Sequence, residues 1–170
     1  MEPTIESLKS FLVGTPFFGG LDDAALDRVA RRLVAHELSA GAVVFRAGDT
    51  GRSMYIIERG EVLLTRTGDG GHPVKLLRLG VGDFFGETTL IEMQPRPETA
   101  LAQGPTRLLE LSNMDLYKLY REDVKAYVLV LQNVNRELCR RLRRADGRIA
   151  QLAEEGGDER TQIGPVPRLT

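Results

Sequence analysis

The chain has 170 residues, 42% hydrophobic and 28% charged, with a formal net charge of −1 and a pI near 6.2; that length supports one good core but hardly two, and the balance removes any global pull toward nucleic acid or anionic membrane. One cysteine, Cys139, excludes an internal disulfide framework and a Cys-rich zinc site, so a reducing compartment fits best. The polar start MEPTIESLKS is unlike a signal peptide and the longest apolar run, Ala126 to Leu131, is far too short to span a bilayer, so a cytoplasmic protein without membrane contact, metal or cofactor is expected.

From Ile5 to about Ala35, apolar residues recur at helical spacing around the breaker GTPFFGG, which predicts two short helices with Asp22 or Asp23 capping the second. From Gly41 to Ser112 the texture changes to short β-branched or aromatic runs, AVVFRAG, SMYIIERG, EVLLTRTG, PVKLLRLG and TRLLELS, punctuated by glycine. That is the signature of an antiparallel sandwich, roll or small barrel; a parallel sheet would need crossover helices. Arg59-Gly60 reads as a tight hairpin turn and GDGGH, Gly68 to His72, as a second hairpin tip. MDLYKLY predicts a short helix, and a long helix follows from about residue 122 to 155. In it Val124, Tyr127, Leu131, Val134, Leu138, Leu142, Ala145, Ile149 and Leu152 form a seam, with a stutter at Val134, Leu138 and Leu142. Such a seam exceeds what one sheet needs, so its distal half is expected to pair with a second copy. Residues 156–170, rich in Gly, Pro and charge, read as a flexible tail.

The stretch GETTLIEMQPRPETA, Gly86 to Ala100, carries the chemistry. A short helical turn over Thr88 to Glu92 directs free backbone N–H groups at one spot, which suits an anion. Arg96 adds a planar fork of donors matching two phosphate oxygens, and Glu87 offers acceptors for a sugar hydroxyl. By spacing alone, a structural Glu87–Arg96 salt bridge explains the pair equally well.

Three markers, AGDTGRSMYIIERGEV, GDFFGETTL and the PR of Pro95-Arg96, together resemble the cyclic-nucleotide-binding domain family, which includes the catabolite activator protein and the regulatory subunits of protein kinase A. The resemblance covers roughly residues 17 to 152. It implies a mainly β fold with flanking helices: an eight-stranded, jelly-roll-like antiparallel β-roll (about 38–112) with N-terminal helices and a long C-terminal helix (about 122–155), all within a domain over 1–155. It further implies a phosphate-binding cassette of Gly86, Glu87, Thr88, Thr89, Arg96, Pro97, Glu98 and Thr99, in which Glu87 takes the ribose 2′-hydroxyl and Arg96 the cyclic phosphate. Matching CRRLRRAD to the same family sets Ala145 and Asp146 near the ligand's base.

This chain departs from the family at two positions. Where the family has a small residue donating its N–H to the phosphate, Pro97 has none; the loss is on the order of 1.5 to 3 kcal/mol, roughly a factor of 10 to 150 in affinity. Glu98, two residues on along an extended strand, returns to the face of Arg96 and competes with a phosphate for it, or leans outward and leaves it available.

The sequence therefore points to a stand-alone regulatory module that senses a cyclic nucleotide, cAMP foremost, and signals through an unidentified protein partner as a homodimer. Its rival keeps the fold as a ligand-free dimeric scaffold with a degenerate cassette. The arginines Arg136, Arg140, Arg141, Arg143, Arg144 and Arg148 read as a solvated coiled-coil face with Glu137 and Asp146 as partners, or as a docking surface. Sequence-specific DNA binding is not expected, since a helix-turn-helix does not fit in the tail. Nor is catalysis: His36 and His72 stand in unrelated contexts, no GxSxG occurs, and GVGDFFG has the wrong glycine spacing for a dinucleotide loop.

Overall fold

The computed structural model describes residues 4–92 and 94–156, which form two compact units, one running to Val134 and the other beginning at Asn135. In the first, α1 (Ile5–Val13) is capped by the Thr4 hydroxyl, a 3-10 turn (Pro16–Phe18) follows, and α2 (Asp23–Ala30) starts at Asp22. The Asp22 carboxylate accepts from Ala25 N at 2.8 Å while Asp23 occupies the first turn, beside the helix's positive end. The helical reading that ran on to Ala35 needs correction. Val34–Leu38 is a strand, β1, pairing antiparallel with β8 (Thr106–Ser112) from Val34 opposite Glu110 to Leu38 opposite Thr106. The helical spacing of Leu33 is incidental, because a ladder available on the neighbouring strand outweighs local propensity.

Between them run β2 (Val43–Phe45), β3 (Ser53–Arg59), β4 (Val62–Thr67), β5 (Pro73–Leu79), β6 (Phe84–Phe85) and β7 (Thr99–Ala102). The eight strands form two antiparallel four-stranded sheets, ordered β1-β8-β3-β6 and β2-β7-β4-β5. This is the expected roll, begun at Val34 rather than near residue 38. Its interior is filled by Ile57, Phe85 and Leu108 from one sheet against Phe45, Val62, Leu64, Leu79 and Ala100 from the other. The first sheet is covered on its outer face too: Met54 and Ile56 are fully buried there, and Phe84 meets Phe17 edge-on at 5.0 Å between centroids. Two buried faces explain why SMYII is an unbroken apolar run rather than an alternating one.

The GDGGH segment is the hairpin tip expected, closing β4 onto β5 with Gly68 N donating to His72 O at 2.9 Å. Arg59-Gly60 is not a hairpin turn: β3 and β4 lie in different sheets, so the turn carries the chain across the roll. Sequence spacing cannot separate the two cases, because both need a tight reversal with positive φ, here +90° at Gly60.

Two helices follow the roll. α4 (Asn113–Glu122) is capped by Ser112, and α5 (Val124–Gly156) is started by Asp123, whose carboxylate accepts from Ala126 N at 3.0 Å. The same carboxylate takes Arg28 at 3.0 Å, and Arg32 reaches Glu122 at 2.7 Å, so α2 is tied to the α4–α5 junction. Asn133, buried in α5, donates to Phe17 O at 3.1 Å and Gly19 O at 2.8 Å, satisfying carbonyls that the 3-10 turn leaves open. The line that α5 buries in this unit is Ala126, Val130 and Val134, one step of four after another. The seam read from the sequence is therefore split: Val134 is buried, Tyr127 and Leu131 are half-buried, and Val124 is exposed.

In the second unit Leu142, Ile149 and Leu152 are exposed. Glu137 accepts from Arg140 at 2.8 Å and Arg141 at 3.2 Å, with Arg144 at 3.9 Å, so part of the arginine cluster is paired along its own helix. Residues 157–170 of the expected tail lie outside the described residues.

A Cβ added at Gly60 would stand 2.5 Å from Thr106 Oγ1, 2.7 Å from Pro105 O and 2.8 Å from Thr106 Cα, on top of the positive φ. Gly60→Ala is expected to destabilise the roll by roughly 1 to 3 kcal/mol, a fall of several degrees in Tm by calorimetry. An unchanged Tm would contradict the packing described.

Candidate functional site

The loop between β6 and β7 is built against the loop between β2 and β3. Leaving Phe85, the chain turns at Gly86 with φ +79°, makes the single turn α3 (Thr88–Glu92), and returns through Pro95. Arg96 is clasped at both backbone ends, its N donating to Asp49 O and its O accepting from Gly48 N, each at 2.8 Å. The receiving turn is closed by Asp49, whose carboxylate accepts from Arg46 N at 2.8 Å. Thr99 Oγ1 adds a third tie, accepting from Ala47 N at 3.0 Å. Four short-range constraints therefore set where the Arg96 side chain leaves the backbone.

That side chain runs inward and is only 4% exposed. Nη1 donates to Gly86 O at 2.8 Å and to Thr89 Oγ1 at 3.0 Å, and Nη2 donates to Ser53 O at 2.6 Å. The Thr89 hydroxyl donates onward to Gly86 O at 3.0 Å. The guanidinium lies 4.1 Å over the ring of Phe45 and 5.9 Å from that of Tyr55, which stacks on Phe85. Its hydrogen bonds among the described residues go to two carbonyls and a hydroxyl, not to a carboxylate. Burial pushes its pKa below the ordinary arginine range, opposed through space by Tyr55, Glu110, Glu87 and Asp49. Neither a Glu87 salt bridge nor a Glu98 clamp holds it.

The other cassette residues divide. Glu87 is buried, its carbonyl accepts from Leu90 N at 3.0 Å, and it lines a cavity beside α3 and α4. Thr88 opens α3, half-buried, and Thr89 is the hydroxyl on Arg96. Pro97, Glu98 and Thr99 are half-buried, with the Thr99 hydroxyl already engaged by Ala47. Ala145 and Asp146 fall in the second unit, both exposed.

Sequence reasoning did not single out Gly51, Ser53, Phe45 or Tyr55 as parts of this site. The residue identities alone hold little signal for them, since Ser53 contributes a backbone carbonyl and Gly51 contributes the lack of a side chain. A Cβ at Gly51 would stand 2.5 Å from Arg96 Nε and 2.6 Å from its Cζ, and one at Gly86 2.5 Å from Nη1. Two glycines from separate loops thus make the slot for the guanidinium.

Residues 35–123 match the family model described as the cyclic nucleotide-binding domain. The chain is 37% identical over 146 residues, 84% of its length, to the cyclic AMP receptor protein of Thermus thermophilus, and spans 64% of that protein. Among solved structures, Thermus thermophilus catabolite activator protein superposes with a TM-score of 0.71 at 34% identity, covering 82% of this chain and 63% of that one. The regulatory domain of Toxoplasma gondii PKA, crystallised with cAMP, gives a TM-score of 0.66 at 27% identity, covering 78% and 50% respectively.

Gly51→Ala is expected to displace Arg96 and lower Tm by several degrees, whereas Gly104→Ala, at a glycine with open space and no positive φ, leaves it within about a degree. Equal melting temperatures for the two variants would show that the slot is not needed.

Proposed function

Since the chain belongs to the cyclic nucleotide-binding domain family, we propose that it is a regulatory module whose roll takes a cyclic nucleotide, cAMP foremost, at Arg96. The observation that carries this is a buried guanidinium whose hydrogen bonds, among the described residues, include no carboxylate. A base whose folded-state pKa lies below its unfolded value costs stability wherever the unfolded chain is protonated, which for arginine includes neutral pH. An anion that reaches the guanidinium offsets part of that cost. Glu87, one residue beyond Gly86, supplies acceptors for a ribose hydroxyl. The receptor protein of Thermus and the cAMP-bound PKA domain support cAMP over other cyclic nucleotides.

The output is assigned to a protein partner, met by a homodimer joined through the distal half of α5. Exposed Leu142, Ile149 and Leu152 supply the apolar face for that pairing. A ligand can move the cassette or the long helix only by binding one arrangement more tightly than the other. Pro97 and Glu98 weaken the site relative to the family pattern without removing Arg96.

Calorimetric titration with cAMP, cGMP and a cyclic dinucleotide tests the reading. Wild type is expected to bind cAMP, Pro97→Ser/Glu98→Ala to bind it roughly 10 to 150 times more tightly, and Arg96→Ala to lose it. Binding retained by Arg96→Ala sinks the phosphate role; no heat from wild type or double variant favours the ligand-free scaffold. For the dimer, sedimentation equilibrium should give twice 18.8 kDa for wild type. Leu142→Lys/Ile149→Lys should give a single chain; a wild-type monomer would refute the assembly.

A further inference from the structure

Val134, read from the sequence as part of the α5 seam, is buried in the first unit, and without it the stutter disappears. The second unit opens at Asn135, and from there Asn135, Leu138, Leu142, Ala145, Ile149 and Leu152 follow one another at alternating steps of three and four. That is a strict 3.5-residue repeat, the period of a left-handed supercoil. Leu142, Ile149 and Leu152 are 61%, 64% and 50% exposed, Asn135 and Ala145 are exposed, and Leu138 is half-buried, so the stripe lies open. In the sequence the same alternation runs back through Leu131, Val128 and Val124, which puts Asn135 inside the repeat and not at its end.

A step of three leads from a heptad's a position to d, so Asn135, Leu142 and Ile149 are a residues and Leu138, Ala145 and Leu152 are d residues. Asn135 is the polar member of the stripe. In a parallel pair a faces a, and the two Asn135 amides meet, each with donors and an acceptor for the other. In an antiparallel pair a faces d, and the amide stands among apolar side chains with its polar atoms unmet. The flanks agree with the first arrangement. Arg141 and Arg148 hold g positions and Asp146 an e position, and parallel helices set each g opposite the partner's e five residues on, Arg141 opposite Asp146. Antiparallel helices would set g against g, arginine against arginine. Arg141 donates Nε to Glu137 Oε1 at 3.2 Å, and its five-donor fork can serve a second carboxylate.

We propose that this face takes one second copy of the chain, parallel and in register, and that Asn135 sets that arrangement by pairing with its counterpart across the axis. The inference rests on the dimer proposed above and adds its orientation, its strand number and the residue that decides them; Arg96 takes no part.

Disulfide trapping of the full chain reads the orientation. On a Cys139→Ser background, oxidised glutathione should link Leu142→Cys into a covalent dimer at least about tenfold faster than Arg143→Cys, because a-position thiols of parallel in-register helices come within disulfide reach and outward b-position thiols do not. Sedimentation equilibrium reads the strand number: wild type at twice 18.8 kDa, and Asn135→Leu above that, as larger assemblies are no longer excluded. Equal trapping at the two positions overturns the parallel register, and an Asn135→Leu mass that stays at two chains overturns the role of Asn135, each while leaving the dimer standing. A wild-type monomer overturns the dimer and this inference with it.

Discussion

The guanidinium of Arg96 ties its own loop, through Gly86 after β6 and Thr89 on α3, to a segment more distant in sequence, Ser53 at the start of β3. A planar group with five donors is suited to this because it bonds in several directions at once without moving. Its position requires that no side chain occupy two adjoining sites, and glycine stands at both, positions 51 and 86. The aromatic stack of Phe45, Tyr55 and Phe85 closes one face of the slot and belongs equally to the roll's interior. The polar site and the hydrophobic core are therefore one construction, and a shift in either displaces the other.

The helices extend this coupling outward. α3 presents Thr89 to Arg96 on one side and Leu90 and Ile91 on the other to the cavity that Glu87 also lines. On the far side of α4, Asp123 both starts α5 and receives Arg28, while Asn133 anchors the next turns to the 3-10 segment. These are directional hydrogen bonds and ion pairs rather than bulk packing, and such contacts have discrete made and broken states. The structure thus ties the α4–α5 junction to the N-terminal helices at definite points.

Much of this was legible beforehand, residue by residue. Asp22 at its cap, the GDGGH hairpin, α3 over Thr88–Glu92 and the start of the long helix all follow from local rules: a side-chain oxygen meeting free N–H groups, a glycine taking positive φ, a breaker ending a helix. Arg96 was legible as a cation on this loop because charge is carried by residue type. Three readings erred for the same reason. Val34–Leu38 is a strand only because β8 lies beside it; Gly60 turns between sheets rather than within one; and the buried line of α5 is Ala126, Val130 and Val134 because of where the 3-10 turn and α4 stand.

Periodicity and glycine placement pointed by themselves to an antiparallel sandwich, roll or small barrel between helices and put Arg96 and Glu87 on one loop, and the resemblance to a family narrowed this to a β-roll. Tertiary structure alone decided what those residues touch. Whether Arg96 would meet Glu87, Glu98 or a row of carbonyls depended on backbone atoms of Ser53 and Gly86, and every residue carries the same carbonyl whatever its letter. Side-chain identity is written in the sequence, whereas the placement of identical backbone dipoles arises only when distant segments are brought together.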